Sequence, residues 1–246
     1  ADRRTPGFPA NKNQYRFTWE NAVATRTESV ERALSILTAF GLRRPKMTLA
    51  ELAAETGLHK STILRLTRSM SLYGFVDRDA EGRFSVGASV WHLGLIFRQE
   101  YETGETIRPV LRTLVKATGE TASYFVKAGD DRVCLYRENS PSLEKYGVEE
   151  GMRLRLGTGA SGLVLRHQSG EHLPDMSAFN RNGTVSLDST RNPNIASISS
   201  PVFARDGQFR GALTISGLNT RFKPDVRDAA KPVLEAAAKD LGSRMD

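Results

Sequence analysis

Lys60, Ser61, Thr62, Arg65 and Arg68 place a dense set of hydrogen-bond donors in one short stretch of the chain. Donors of this kind read nucleic acid, because an arginine can give two bonds to guanine and a Ser or Thr hydroxyl can bond a base or a phosphate. At 100° per residue, Ser61, Arg65, Arg68 and Leu72 share one helical face, while Ile63, Leu66, Thr67 and Met70 share the opposite one. One face can therefore pack while the other meets a partner. Taken singly, each arginine also fits a solvated helix face. A second candidate is the small-residue turn Thr158, Gly159, Ala160 and Ser161 before GLVL, where free N–H groups and a helix dipole favour an anion such as a carboxylate. A turn chosen only for its backbone angles has the same composition. Cys134, the single cysteine, has no internal disulfide partner and lies in the apolar run RVCLY as a buried small side chain. His59, His92, His167 and His172 lack the i, i+4 spacing of a zinc helix, and no G-x-S-x-G elbow marks a nucleophile. No metal, no cofactor and no catalytic residue is expected.

The elements that must position the first cluster are legible on either side of it. Val30, Ala33, Leu34, Leu37 and Phe40 mark one face of a helix ended by Gly41 and Pro45. Thr48 with Glu51 three residues on forms a capping box, so a short helix starts there and runs to Thr56. Gly57 allows a sharp turn, Leu58 plugs the corner, and the arginine-bearing helix follows from Lys60 to about Tyr73. In a helix-turn-helix, the N-terminal part of this second helix meets base edges. Phe75 to Arg78 and Arg83 to Val86 then read as two strands around an Asp79 to Gly82 turn, a wing that would bring Arg83 to a phosphate or the minor groove. The candidate DNA-binding set is thus Thr48, Lys60, Ser61, Thr62, Arg65, Arg68 and Arg83.

Charge is distributed as this requires. The chain of 246 residues carries a net charge of +7, and residues 1–86 hold +5 of it. The length points to two domains. Residues 1–24, with Phe8, Tyr15, Phe17 and Trp19 in no period, read as an extended arm, either a free tail or one laid on a dimer partner. The start lacks the apolar core of a signal peptide, and the longest apolar stretch, Val90 to Phe97, is too short for a membrane span. A cytoplasmic protein is the expectation. Beyond residue 87 the pattern is α+β, with helices at 89–103, 105–118, 160–167 and 224–243 and strands at 121–127, 132–138, 197–205 and 209–216. The polar run 180–194 reads as a mobile loop.

SVERALSIL, TLAELAAETGLHKSTILRLTRSM and YGFVDRDAEGRFSVG, in that order, resemble the N-terminal domain of the isocitrate lyase regulator (IclR) family of bacterial transcription factors. Gly104 to Thr118, GETASYFVKAGDDRVCLYREN, GMRLRLGTGASGLVL and PVFARDGQFRGALTISGL extend the resemblance through most of the chain. It implies a winged helix-turn-helix domain over 25–87, a connector helix over 88–104 and a GAF-like domain over 105–246 that binds a small effector and helps assemble dimers into tetramers. By the same resemblance, Gly159 and Ala160 match positions that hold effector, and Ser197 stands where many members have cysteine. Thr214 and Ser216 match two hydroxyls of the family's S-x-S-G ending, and Asp188 falls beside an acidic position of the pocket rim. These are the candidate effector-binding residues. Relatives carry a longer helix and linker where this chain has only HQSGEHLPDMSAFNRN, which bears on the pocket's shape.

The function expected is a sequence-specific regulator whose affinity for double-stranded operator DNA is modulated by a small organic acid. Two other classes compete. A metabolite-converting enzyme with an appended helix-turn-helix would turn over candidate acids through Ser197 or Asp188. A winged-helix module for protein contacts would show no salt-dependent DNA binding.

Overall fold

The computed structural model describes residues 27–101, 103–142, 148–157, 159–189 and 192–245, so the proposed arm 1–24 and Thr158 lie outside the described residues. By internal contacts the chain divides into two units, one of the residues through Phe40 with Lys46–Val86, the other of Gly41–Pro45 with the residues from Gly87 onward.

In the first unit α1 (Glu28–Ala39), β1 (Lys46–Met47), α2 (Leu49–Thr56), α3 (Lys60–Leu72), β2 (Val76–Arg78) and β3 (Phe84–Val86) follow in order. The capping box forms as spaced: the Thr48 hydroxyl accepts from the Glu51 amide at 3.2 Å, and the Glu51 carboxylate accepts from the Thr48 amide at 2.7 Å. Gly57, at φ 69°, ends α2 in the left-handed region, where a side chain would strain the backbone. Ile63, Leu66, Thr67 and Met70 of α3 are buried with Ile36, Met47, Leu52, Val76 and Phe84. Of the expected α1 face, Ala33, Leu37 and Phe40 pack against this core, whereas Val30 and Leu34 are half exposed and Ile36, outside that pattern, is fully buried. The wing gains an unexpected third strand, in the order β1-β3-β2, with Lys46 opposite Ser85 and Arg78 opposite Phe84.

The second unit begins with α4 (Ala88–Tyr101) and α5 (Thr103–Thr118) and continues with β4 (Thr121–Ala128), β5 (Asp131–Glu138), β6 (Arg153–Arg155), α6 (Ala160–Gln168), β7 (Val185–Asp188), β8 (Ile195–Phe203), β9 (Phe209–Leu218) and α7 (Pro224–Ser243). Its six strands form one antiparallel sheet in the order β6-β5-β4-β9-β8-β7. Strand alternation divides its residues between two cores. Ala122, Tyr124, Ala196, Ile198, Leu213 and Ile215 pack with Ile107, Leu111 and Leu114 of α5 and Leu234 and Leu241 of α7. Phe125, Cys134, Val185 and Ala212 pack on the other face with Ala160, Val164 and Leu165 of α6. At the start of β4, the buried Glu120 carboxylate accepts two bonds from Arg221, at 2.5 and 2.9 Å, tying the sheet to the loop before α7.

One expectation for this unit changes. The run read as a mobile loop contains β7, whose Val185–Asp188 pair with β8 at the sheet edge, and the Asn180 and Asn182 amides both donate to Glu235 at 2.6 Å. The short stretch after α6 is packed too: Leu173 is buried, and the Phe179 ring meets the edge of His167 at 5.1 Å. Among the described residues no helix is long and apolar enough to cross a membrane.

Candidate DNA interface and ligand cavity

On α3, Lys60, Ser61, Arg65 and Arg68 are exposed and Thr62 is half-buried, because the four buried residues of this helix all fall on its other side. Thr48 sits at the α2 N-terminus with its hydroxyl also donating to Glu51 at 2.7 Å, so that side chain is committed to the cap. Arg83 is engaged as well. Its Nε donates to Asp79 at 3.1 Å and its Nη2 to Glu81 at 3.3 Å, while Lys46 donates to the same Asp79 at 3.2 Å. Against a desolvation cost, bonds from the Arg83 amide and from Lys46 hold the Asp79 carboxyl below its ordinary range, so Asp79 stays ionised at neutral pH.

Arg78 was not among the residues expected. Its guanidinium lies over the Phe84 ring at 5.2 Å and donates to the Gly82 carbonyl at 3.3 Å. With Arg65, Arg68, Leu72 and Phe84 it lines one concavity between α3 and the wing. The sequence offers Arg78 and Arg83 as equals about the turn, and only the pairing of Arg78 with Phe84 puts Arg78 on the α3 side.

The second unit holds a cavity of about 70 Å³ on the α6 face of the sheet. Gly159, Ala160, Ser197, Thr214 and Ser216, reached separately from the sequence, all line it. Ser197 pairs with Ser216 across β8 and β9, and Ser199 with Thr214, so alternation brings the hydroxyls to one face. Gly159 caps α6 without a side-chain bond. Asp188 is a correction. It pairs with Ala196, whereas Leu187 pairs with Ser197, so Asp188 belongs to the opposite face, where its carboxylate meets Arg227 at 3.0 Å. One residue further on, Ser189 lines the cavity in its place.

Two further lining residues, Arg132 and Arg137, escaped the sequence reading. They stand five apart on β5, an odd spacing that an unbroken strand sends to opposite faces. Phe125 pairs with Cys134 while Tyr124 pairs with Tyr136, leaving Leu135 as an extra residue that reverses the alternation. The Arg132 Nη1 donates to the Arg155 and Leu156 carbonyls at 3.0 and 2.5 Å, and Arg137, itself buried, donates to Asn139 at 3.0 Å and Ser123 at 3.2 Å.

Cys134 is fully buried in the core beside this cavity, and burial pushes its thiol up to about 12. The native protein should therefore resist a disulfide reagent at pH 8 and react with one equivalent in guanidinium chloride. Rapid labelling of the folded chain would contradict this packing.

A glycine-turned helix pair with two outward arginines and a three-stranded wing defines a winged helix-turn-helix DNA-binding protein. Residues 29–80 match the family model described as the IclR helix-turn-helix domain. Over 241 residues the chain is 24% identical to the HTH-type transcriptional regulator KipR of Bacillus subtilis, covering 83% of this chain and 95% of that one. The crystal structure of an IclR transcriptional regulator from a Silicibacter species matches with a TM-score of 0.71 at 24% identity, over 88% of this chain and 95% of the other. An IclR homolog from Microbacterium hydrocarbonoxydans, complexed with 4-hydroxybenzoate, matches with a TM-score of 0.64 at 17% identity, over 87% and 98%. Both structures share the fold. Residues 29–80 thus carry an IclR-type helix-turn-helix domain and the chain is a DNA-binding transcriptional regulator, and these relatives are regulators, not enzymes.

Proposed function

We propose that this regulator couples operator binding to a small organic acid held in the cavity on the α6 face of the sheet. The observation that carries this is the convergence of Gly159, Ala160, Ser197, Thr214 and Ser216 on one cleft beside the α6 N-terminus. Hydroxyls converging on a cleft with some apolar wall orient a small acid, and the helix terminus favours its carboxylate. The complex of the Microbacterium homolog with 4-hydroxybenzoate supports an organic acid as the ligand class.

The working parts are the winged domain over 25–87, a connector helix over 88–104 and an effector domain over 105–246. Lys60, Ser61, Thr62, Arg65 and Arg68 face the major groove, with Arg78 and Arg83 toward the backbone beside it and Thr48 holding the α2 end that meets a phosphate. The regulator acts as a dimer, or as a dimer of dimers, on two half-sites about 34 to 36 Å apart or a multiple of this. On α4, Trp91, Leu93 and Ile96 are exposed, apolar surface suited to a second copy. Acid and operator favour different arrangements of the assembly, so each alters affinity for the other by about 1 to 3 kcal/mol.

Selection of bound fragments from source genomic DNA tests the operator half of this. It should return a roughly palindromic site whose affinity falls steeply with salt. Adding organic acids to the isolated complex should then shift that affinity by about 5- to 150-fold. A set of acids that leaves it unmoved would sink the coupling.

A further inference from the structure

We infer that Arg78, and not Arg83, is the arginine with which the wing holds DNA, and that the concavity between α3 and the wing receives one sugar-phosphate strand of the operator. The inference rests on the reading of α3 as the helix that enters the major groove. With α3 in that groove, the space between α3 and the wing meets the rim of the groove, and the rim is backbone. Arg65, Arg68 and Arg78 line this concavity and no carboxylate does. Asp77, the acid next to Arg78 on β2, belongs to the opposite face by alternation. Among the described residues, no carboxylate pairs with any of the three arginines.

The tip of the wing is different. Lys46 and Arg83 stand there against Asp79 and Glu81, so the tip presents no net charge while the concavity presents three positive ones. Arg78 is also ordered in advance. The Phe84 ring lies 5.2 Å from its guanidinium carbon and its Nε donates to the Gly82 carbonyl, so its Nη1 and Nη2 groups remain as donors. Gly82, at φ 80°, leaves room for this, since a Cβ there would stand 3.2 Å from Nη2. An arginine already held flat on a ring gives up less freedom when it grips a phosphate. Leu64 and Leu72, 40% and 82% exposed on the same side of α3, add apolar wall suited to the carbon face of a deoxyribose.

Fluorescence anisotropy of the full chain with the operator duplex returned by selection, and with a random-sequence duplex, tests this. Arg78→Gln should weaken both duplexes alike, by about tenfold, and lower the slope of log affinity against log salt by about one. Arg78→Lys, which keeps the charge but loses the stacked fork, should keep the slope and lose part of the affinity. Arg83→Gln should stay within about twofold on both duplexes. A methylphosphonate scan of the operator, with one phosphate at a time made neutral, should find a position in each half-site where the unaltered protein loses as much and Arg78→Gln loses nothing further. A scan without such a position overturns the phosphate contact, whatever the variants do. An equal cost at Arg83 overturns the choice of Arg78. A loss for Arg78→Gln on the operator alone, with altered preference, overturns the backbone role in favour of base reading. No loss at Arg78 with altered preference for Arg65→Ala overturns the inference and leaves α3 as the reading helix; no loss at either overturns both.

Discussion

Gly162→Ala is expected to destabilise the C-terminal unit by about 3 kcal/mol, the upper part of the range for forcing extra volume into a packed site. Gly162 lies in the first turn of α6, and a Cβ built there would stand 1.7 Å from the Leu156 carbonyl oxygen and 2.7 Å from the Arg132 Nη1. The obstacle at the shorter distance is backbone, so α6 or the segment carrying Leu156 must move by more than an ångström. Neither has room: Leu156, Ala160, Val164 and Leu165 belong to one buried cluster. Thermal unfolding should report a fall of roughly 6 to 12 °C, and because Leu156 also accepts from Arg132, ligand binding should weaken with it. A melting temperature within a degree or two of the parent would mean that α6 does not approach the chain as closely as described.

Arg65→Ala is expected to weaken specific operator binding by about 1 to 3 kcal/mol, roughly 5- to 150-fold, and to relax preference at one base pair in each half-site. Arg65 is exposed on the face of α3 opposite Ile63 and Leu66, one turn from its start, where a recognition helix meets base edges. Arg83→Ala should cost much less, because Asp79 and Glu81 already engage that guanidinium and releasing it from them offsets what a phosphate returns. Fluorescence anisotropy on the selected operator, repeated across salt concentrations, separates the two. Arg65 should alter sequence preference, whereas a phosphate contact should mainly lower the salt slope by about one. If Arg65→Ala left affinity and preference intact, α3 would not be the reading helix.

The DNA-binding unit was legible because its information is local. The two faces of α3 follow from residue type at a period of 3.6, the α2 cap needs only Thr48 and Glu51, and the turn needs only Gly57. The Gly159–Ala160 turn and the hydroxyls of Ser197, Thr214 and Ser216 were legible too, from the α6 start and the resemblance. What escaped depended on partners distant in the chain. The strands β1, β6 and β7 are two to four residues long, too short to show a period, so they become strands only because a neighbour supplies the hydrogen bonds. Asp188 could not be assigned to a face until Ala196 was its partner. The sequence by itself determined where α3 presents its arginines and which hydroxyls lie near the α6 turn. The tertiary structure alone decided the charge of the cavity, because one extra residue at Leu135 brings Arg132 and Arg137 to the same face, and a strand's register is a property of its pairing.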